Sequence, residues 1–372
     1  LSEKSFVIVF PSVFARNKIP LLISNVKKIL KLQNLKFSSV KRDGDIILVD
    51  ANDPVFASSA INLLFGIKRI AIARQFNNDF DTIVSEITSL GGNLLLKGEK
   101  FLVRVEGTSK GFLPKDVEIA ATSSIIEKKS KLGAKPGTDK EFDKLVYSYL
   151  TKNNAYICIF IDEGLGGVPY GVQEQFVISC VFDELSAINT LNTIKQGYKT
   201  KLIVCYKKKS ELMNLVKIIN QIIPRLMTKK IKLEFFNIDF ERYSESSYPA
   251  LIAACLGVSL KIAKNEKIKH ISIPTTPTII PGKIIDEFAK QITRNDKVPL
   301  FPLFGSNMQI FNDLQELGLS SKAKKLEVLA SKSFKRIPTV SEKLILKSLR
   351  SEKTVTVDIG PNNVHDILDA LE

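Results

Sequence analysis

Tryptophan is absent, histidine occurs twice and cysteine four times in 372 residues. His270 and His365 have no second ligand at useful spacing, so neither a zinc centre nor a histidine-rich catalytic site is expected. The four cysteines, Cys158, Cys180, Cys205 and Cys255, stand singly among apolar residues with no CxxC pair. That usage belongs to a reduced, intracellular chain and argues against a metal or redox pair. No apolar run reaches about 18 residues, which argues against a helical membrane span. Leu1 to Ser5 lack the basic-then-apolar start of a secretory signal. The expectation is a cytoplasmic protein with no membrane partner.

What is present is apolar residue, at 44%, and charge, at 25%, enough for two to four domains with packed cores. Lys and Arg number 54 against 39 Asp and Glu, a net charge of +15. Such an excess either attracts a polyanion, of which nucleic acid is the commonest inside cells, or is only a solvated surface. Basic residues dominate 1–75 and 171–372, and the middle is balanced.

The first segment reads as a βαββαβ unit. SFVIVF (Ser5–Phe10) suits a buried strand. Pro20 sits where a helix can start, and Leu22, Val26, Ile29 and Leu30 follow at helical spacing. Asp43-Gly44 turns two short strands. A helix over Ala57–Leu64 and a strand over Ile67–Ala73 complete a ferredoxin-like order. A second unit has a helix over Phe80–Leu90 stopped by Gly91-Gly92, a strand over Phe101–Glu106, a helix over Asp116–Lys129 and a strand over Ala155–Ile161. A glycine-rich hinge, Gly164–Gly171, follows. Beyond it, strands near 175–180, 201–206, 231–238 and 269–273 alternate with helices near 184–195, 209–227, 247–264 and 282–293. That rhythm predicts a parallel sheet covered on both faces.

The hinge carries the most specific string, Gly166-Gly167-Val168-Pro169-Tyr170-Gly171-Val172-Gln173. It resembles the GGxPxGTQ segment between the THUMP and PP-loop domains of the tRNA 4-thiouridine synthetases, the tRNA sulfurtransferases also linked to thiamine biosynthesis. Phe101–Val105 with Gly111 and Asp116-Val117-Glu118 resembles that family's FxVRV and DVE pattern. Leu64-Phe65-Gly66-Ile67 and Pro338-Thr339 resemble two further family steps. The resemblance implies an α/β multidomain chain: a ferredoxin-like α+β domain (1–75), a THUMP RNA-binding α/β domain (76–165) and a Rossmann-like, parallel-sheet PP-loop domain (172–372) of the adenine nucleotide alpha hydrolase kind. It also implies a tRNA partner gripped near the acceptor end, is compatible with a homodimer, and makes ATP with magnesium the family's cofactor.

The family's nucleotide motif, SGGxDS, places phosphate on bare backbone amides at a helix N-terminus. One register lays it on Ser179-Cys180-Val181-Phe182-Asp183-Glu184; the ungapped one, favoured by spacing at both flanks, lays it on Val181-Phe182-Asp183-Glu184-Leu185-Ser186. Both lose the glycines. Asp183 and Glu184 would cap a helix and repel polyphosphate, by roughly 4 kcal/mol per close pair at an effective dielectric near 20. Ile273-Pro274-Thr275-Thr276-Pro277 replaces the family's TGE loop without a carboxylate. The reactive cysteine expected upstream of Pro338-Thr339 is replaced near Ser331. Cys180 is either a relocated sulfur carrier or a packed core residue. The reading is a catalytically degenerate family member with no catalytic residue, no metal and no cofactor. The alternative is a divergent, active ATP-dependent tRNA sulfurtransferase working with partner sulfur carriers.

Candidate RNA contacts are Arg16, Lys18, Lys27, Lys28 and Lys31 around the first helix, and Arg42 at the hairpin. In the second unit they are Lys97, Lys100, Arg104, Lys110, Lys128 and Lys129. Side chains of this kind give salt-sensitive phosphate binding. Arg104 lies within an apolar strand and needs either a carboxylate or a phosphate. The 22 phenylalanines read as core rather than as base-stacking platforms.

Overall fold

The computed structural model describes residues 4–129, 133–238, 248–305, 309–334, 340–360 and 363–371. The chain divides into two compact units, Leu1–Gly167 and Val168–Glu372.

Unit 1 runs β1 (Ser5–Pro11), α1 (Ile19–Leu32), β2 (Phe37–Asp43), β3 (Ile46–Ala51), α2 (Pro54–Ile61), β4 (Ile67–Asn77), α3 (Phe80–Leu94), β5 (Lys100–Gly107), α4 (Pro114–Lys128), β6 (Lys135–Pro136), β7 (Lys144–Leu150) and β8 (Asn154–Gly166). All eight strands form one sheet, ordered β2-β3-β1-β4-β8-β7-β5-β6. β1 is antiparallel to β3 and β4, as a ferredoxin-like start requires. The boundary expected at 75/76 falls inside β4, whose ladder with β8 extends from Ile67 to Asn77. Two motifs therefore share one sheet. The Asp43 carboxylate at the hairpin accepts hydrogen bonds from Thr151 at 3.0 Å, Asn154 at 3.1 Å and Tyr156 at 2.5 Å. It ties the first hairpin to the β7–β8 turn.

Several local expectations shift for identifiable reasons. α2 starts before Ala57 because Asp53 accepts from the Val55 and Phe56 amides at 3.0 Å and Pro54 occupies the first turn. Gly91 and Gly92 do not stop α3, which continues to Leu94. At Gly91 a Cβ would come 2.8 Å from Cδ1 of the fully buried Ile125 on α4, whereas at Gly92 it would meet only the movable stem of Lys129 at 2.7 Å. β8 continues to Gly166, so the start of the supposed hinge is strand. At Gly164 a Cβ would meet the Ile67 carbonyl oxygen.

Unit 2 runs β9 (Gln173–Val181), α5 (Glu184–Lys195), β10 (Tyr198–Tyr206), α6 (Leu212–Ile222), β11 (Lys230–Asn237), α7 (Tyr248–Asn265), β12 (His270–Ser272), α8 (Gly282–Thr293), β13 (Val298–Leu300), α9 (Gln309–Glu316), α10 (Ala323–Ala330), α11 (Glu342–Arg350), β14 (Lys353–Asp358) and α12 (Asn363–Asp369). Its sheet order is β13-β12-β9-β10-β11-β14. The first five are parallel, and β14 adds an antiparallel edge beyond the expected parallel sheet. The strand order reverses between β9 and β12, so the ligand crevice of such a sheet lies at the carboxyl end of β9. The helix expected over 209–227 is shorter: Pro224 falls in a terminal 3-10 turn that ends at Met227 with φ +53°. α5 is buried along nearly its whole length despite its polar residues. Neighbouring elements satisfy several of these: Thr190 pairs with Ser179 of β9 at 2.7 Å, Thr193 with Ser272 of β12 at 2.9 Å, and Asn192 with Asp313 of α9 at 2.6 Å.

Candidate functional site

The crevice position is built by the β9–α5 junction. β9 ends at Val181 and α5 starts at Glu184, so the junction coincides with the ungapped register. Ser179 and Cys180 lie within the strand and are buried. The Asp183 side chain caps α5 by accepting from the Ser186 amide at 2.9 Å. In return, Ser186 Oγ accepts from the Phe182 amide at 2.8 Å and the Asp183 amide at 2.9 Å. Three amides at this junction, those of Phe182, Asp183 and Ser186, are thus taken by the chain's own side chains.

The acidic side chains are also occupied. Tyr248 donates to Asp183 at 2.7 Å. Burial pushes the Asp183 carboxyl above its ordinary value, and the neighbouring Glu184 charge pushes the same way. Glu184 is buried and ion-paired with Lys325 of α10 at 2.5 Å. What remains is a cavity of about 310 Å³ whose wall includes Phe182, Asp183, Glu184, Tyr248, Lys325 and Leu326. A polyphosphate with magnesium does not fit this junction: no glycine exposes the backbone, and carboxylates flank the helix start.

After β12, Thr275 and Thr276 are buried and the turn holds no carboxylate. Ser331 is exposed at the end of α10, where its hydroxyl donates to the Val328 carbonyl. Pro338-Thr339 lies outside the described residues. Cys180 is 4% exposed, and burial pushes its thiol well up, so it offers no ready thiolate. Yet it is not isolated. The fold gathers Cys180, Cys205 and Cys255, which the sequence shows as unrelated single positions.

In unit 1 a second feature appears. A pocket of about 360 Å³ is lined by Arg16, Arg42, Lys68 and Arg69, with Asp45 and Glu106 and the rings of Phe10 and Tyr149. The rings meet edge-on at 5.1 Å. Arg69 stacks over Phe10 and Tyr147 and bonds Glu106 at 3.0 Å. Arg42 is partly used by its own turn, donating to the Gly44 carbonyl at 2.7 Å. Arg16 and Lys68 are exposed and have no carboxylate partner among the described residues. Cations beside aromatic faces suit a phosphate with an unstacked base.

The remaining predicted contacts divide. Lys18, Lys27, Lys28 and Lys31 are exposed on α1 and the 3-10 turn before it, and Lys97, Lys110 and Lys128 are exposed in the second half. Lys129 lays its stem over Gly92. Lys100 is paired with Glu141 at 2.5 Å. Arg104 finds carboxylates: Asp139 in close contact and Glu118 at 3.8 Å. Glu118, buried on α4, also accepts from the Val105 amide at 2.9 Å. The FxVRV and DVE segments are thus joined by an internal clasp, which gives Arg104 the carboxylate partner that one of its two alternatives asked for. Lys68, Arg69, Phe10 and Tyr149 were missed because they alternate along buried strands. Among the described residues eight phenylalanines are buried but seven are exposed, Phe14 at 70% and Phe56 at 66% the most, which corrects the reading of phenylalanine as mostly core.

The GGVPYGVQ string also proves structural. Gly166 and Gly167 have φ of +64° and +73°. Within unit 1 the Gly66 amide bonds the Gly166 carbonyl at 2.6 Å, and Ser12 bonds the Gly167 carbonyl at 2.7 Å. Within unit 2 the Val168 amide bonds the Lys195 carbonyl, and the Gly171 and Gln173 amides share the Gly197 carbonyl.

Fold and site together define an α/β protein with a Rossmann-like sheet, a self-capped crevice and a basic sheet-and-helix unit. No family model matches the chain. It is 26% identical over 293 residues to the tRNA sulfurtransferase of Blochmanniella pennsylvanica, covering 74% of this chain and 57% of that protein. It is 25% identical over 160 residues to a probable tRNA sulfurtransferase of Methanosarcina acetivorans, covering 42% and 39%. The chain thus spans less than two thirds of those relatives' length. Among solved structures it matches a 4-thiouridine synthetase in complex with RNA and bound ATP, with TM-score 0.65, 14% identity and coverage of 96% and 100%. PH1313 from Pyrococcus horikoshii gives TM-score 0.62, 18% identity and coverage of 85% and 100%. At these identities the likeness to the solved structures is one of fold. The chain is thus similar in sequence to tRNA sulfurtransferases and in fold to a 4-thiouridine synthetase. Among the described residues no helix is long and apolar enough to cross a membrane.

Proposed function

We propose that this chain is a cytoplasmic tRNA-binding member of the tRNA 4-thiouridine synthetase family whose sheet unit does not carry out ATP-dependent sulfur transfer. The observation behind it is the β9–α5 junction, where Ser186 already occupies the Phe182 and Asp183 amides. The missing loop carboxylate and the serine near the reactive-cysteine position point the same way. RNA binding is assigned to unit 1, whose pocket gathers Arg16, Arg42, Lys68 and Arg69 beside Tyr149, with the tRNA acceptor end as ligand. The relatives' names and the RNA-bound fold neighbour support that partner.

Fluorescence anisotropy with tRNA and with an acceptor-stem minihelix tests this reading. Binding should weaken steeply with salt, and Arg16→Ala combined with Lys68→Ala should flatten the log–log slope by roughly 1.4–1.8. Calorimetry with Mg-ATP should show no binding. Millimolar or tighter Mg-ATP affinity, or 4-thiouridine formed in tRNA from ATP and sulfide, would establish the divergent active transferase instead.

A further inference from the structure

Cys180 on β9, Cys205 on β10 and Cys255 on α7 meet in the core of unit 2, with all three Sγ atoms within 4.8 Å of one another. Register explains the meeting. Cys180 is the cross-strand partner of Ile203. Side chains alternate along a strand, so Cys205, two residues further, faces the same side. α7 packs on that side and contributes Cys255. The three are 4%, 0% and 2% exposed. Beside Cys180 and Cys255 lies a void of about 10 Å³, also bordered by Ser259, close to the volume one water needs.

We propose that Cys180, Cys205 and Cys255 form a three-sulfur site for a closed-shell divalent cation of the zinc class, with the small void as its fourth, oxygen-bearing position. Three thiolates around an ion at metal–sulfur distances of about 2.3 Å sit roughly 3.8 Å apart. The sulfurs therefore need to close by no more than about 1 Å. Thiolate donors select thiophilic ions over magnesium or calcium. A divalent ion leaves one net negative charge in this apolar surround and a monovalent ion leaves two, so the divalent class is the less costly. Loading exchanges three thiol protons for the ion, and the protons pass to solvent. Because the cluster is sealed, the ion enters during folding or through a transient opening.

The test uses the full chain, refolded with zinc or cadmium and freed of excess ion by gel filtration. Metal is counted by mass spectrometry, and cadmium–thiolate bonds are read by their ultraviolet charge-transfer band. Wild type and Cys158→Ser should each hold about one ion per chain, and Cys205→Ser and Cys255→Ser less than a tenth of that. Should those two variants misfold, native alkylation of wild type decides: cadmium should slow modification of the three cysteines and leave Cys158, buried in unit 1, unchanged. No stoichiometric metal in wild type, undiminished binding in Cys205→Ser, or equal protection of Cys158 would overturn the site and leave a packed core.

Discussion

Replacing Ser186 with alanine removes the one acceptor shared by the Phe182 and Asp183 amides, at 2.8 and 2.9 Å. Ser186 is fully buried and Phe182 is 6% exposed, so water cannot readily replace the hydroxyl at the Phe182 amide. Leaving that buried donor unmade costs about 1–3 kcal/mol, and the partly exposed Asp183 amide adds about 1. The expected loss is therefore on the order of 2–4 kcal/mol, confined to unit 2. With two units, one global transition is not assured. Hydrogen exchange read on peptides spanning 177–190 is the suitable assay, alongside urea unfolding. Those amides should exchange roughly 30-fold faster or more. A loss below about 0.5 kcal/mol with unchanged exchange would refute the reasoning. The amides would then be independent of Ser186 and free for an anion.

Asp183 gives a signed pH effect. Its folded-state carboxyl is raised chiefly by burial, so its contribution is most favourable in acid and is lost as pH rises through the raised value. Asp183→Asn, which keeps an acceptor at the cap, should match or exceed wild-type stability at pH 7, whereas Asp183→Ala should lose about 1 kcal/mol; urea midpoints across pH separate the two. Glu234 runs the other way. Burial pushes its carboxyl up, but Lys232 at 2.7 Å and Lys201 at 3.0 Å outweigh burial and hold it below its ordinary value. Its stabilisation is present above the ordinary carboxyl range and fades in acid, and Glu234→Gln should cost about 1–3 kcal/mol at neutral pH, measured by the same unfolding. Arg104→Gln should lower stability by about 1–3 kcal/mol through the loss of its contacts with Glu118 and Asp139, while tRNA affinity by anisotropy changes less than twofold.

Local pattern carried much of this protein. The apolar run SFVIVF, the Asp43-Gly44 turn and the strand–helix rhythm after Gln175 are short-range signals, because steric and capping preferences act within a few residues. The loss of glycines at Val181–Ser186 was equally legible, since an absent residue type needs no fold to be seen. Where the partners are distant, sequence was silent. The partner of Arg104 stood open until α4 brought Glu118 against β5. The glycines at 91 and 92 looked like a helix stop, yet the helix runs through them and Gly91 answers to α4 packing against it. Arg16 and Lys68 lie far apart along the chain, and only the β1–β4 pairing places them around one pocket. The same holds for Cys180, Cys205 and Cys255. Strand register and helix docking, set by burial across the whole core, decide which side chains share a space, and single-residue spacing does not encode that.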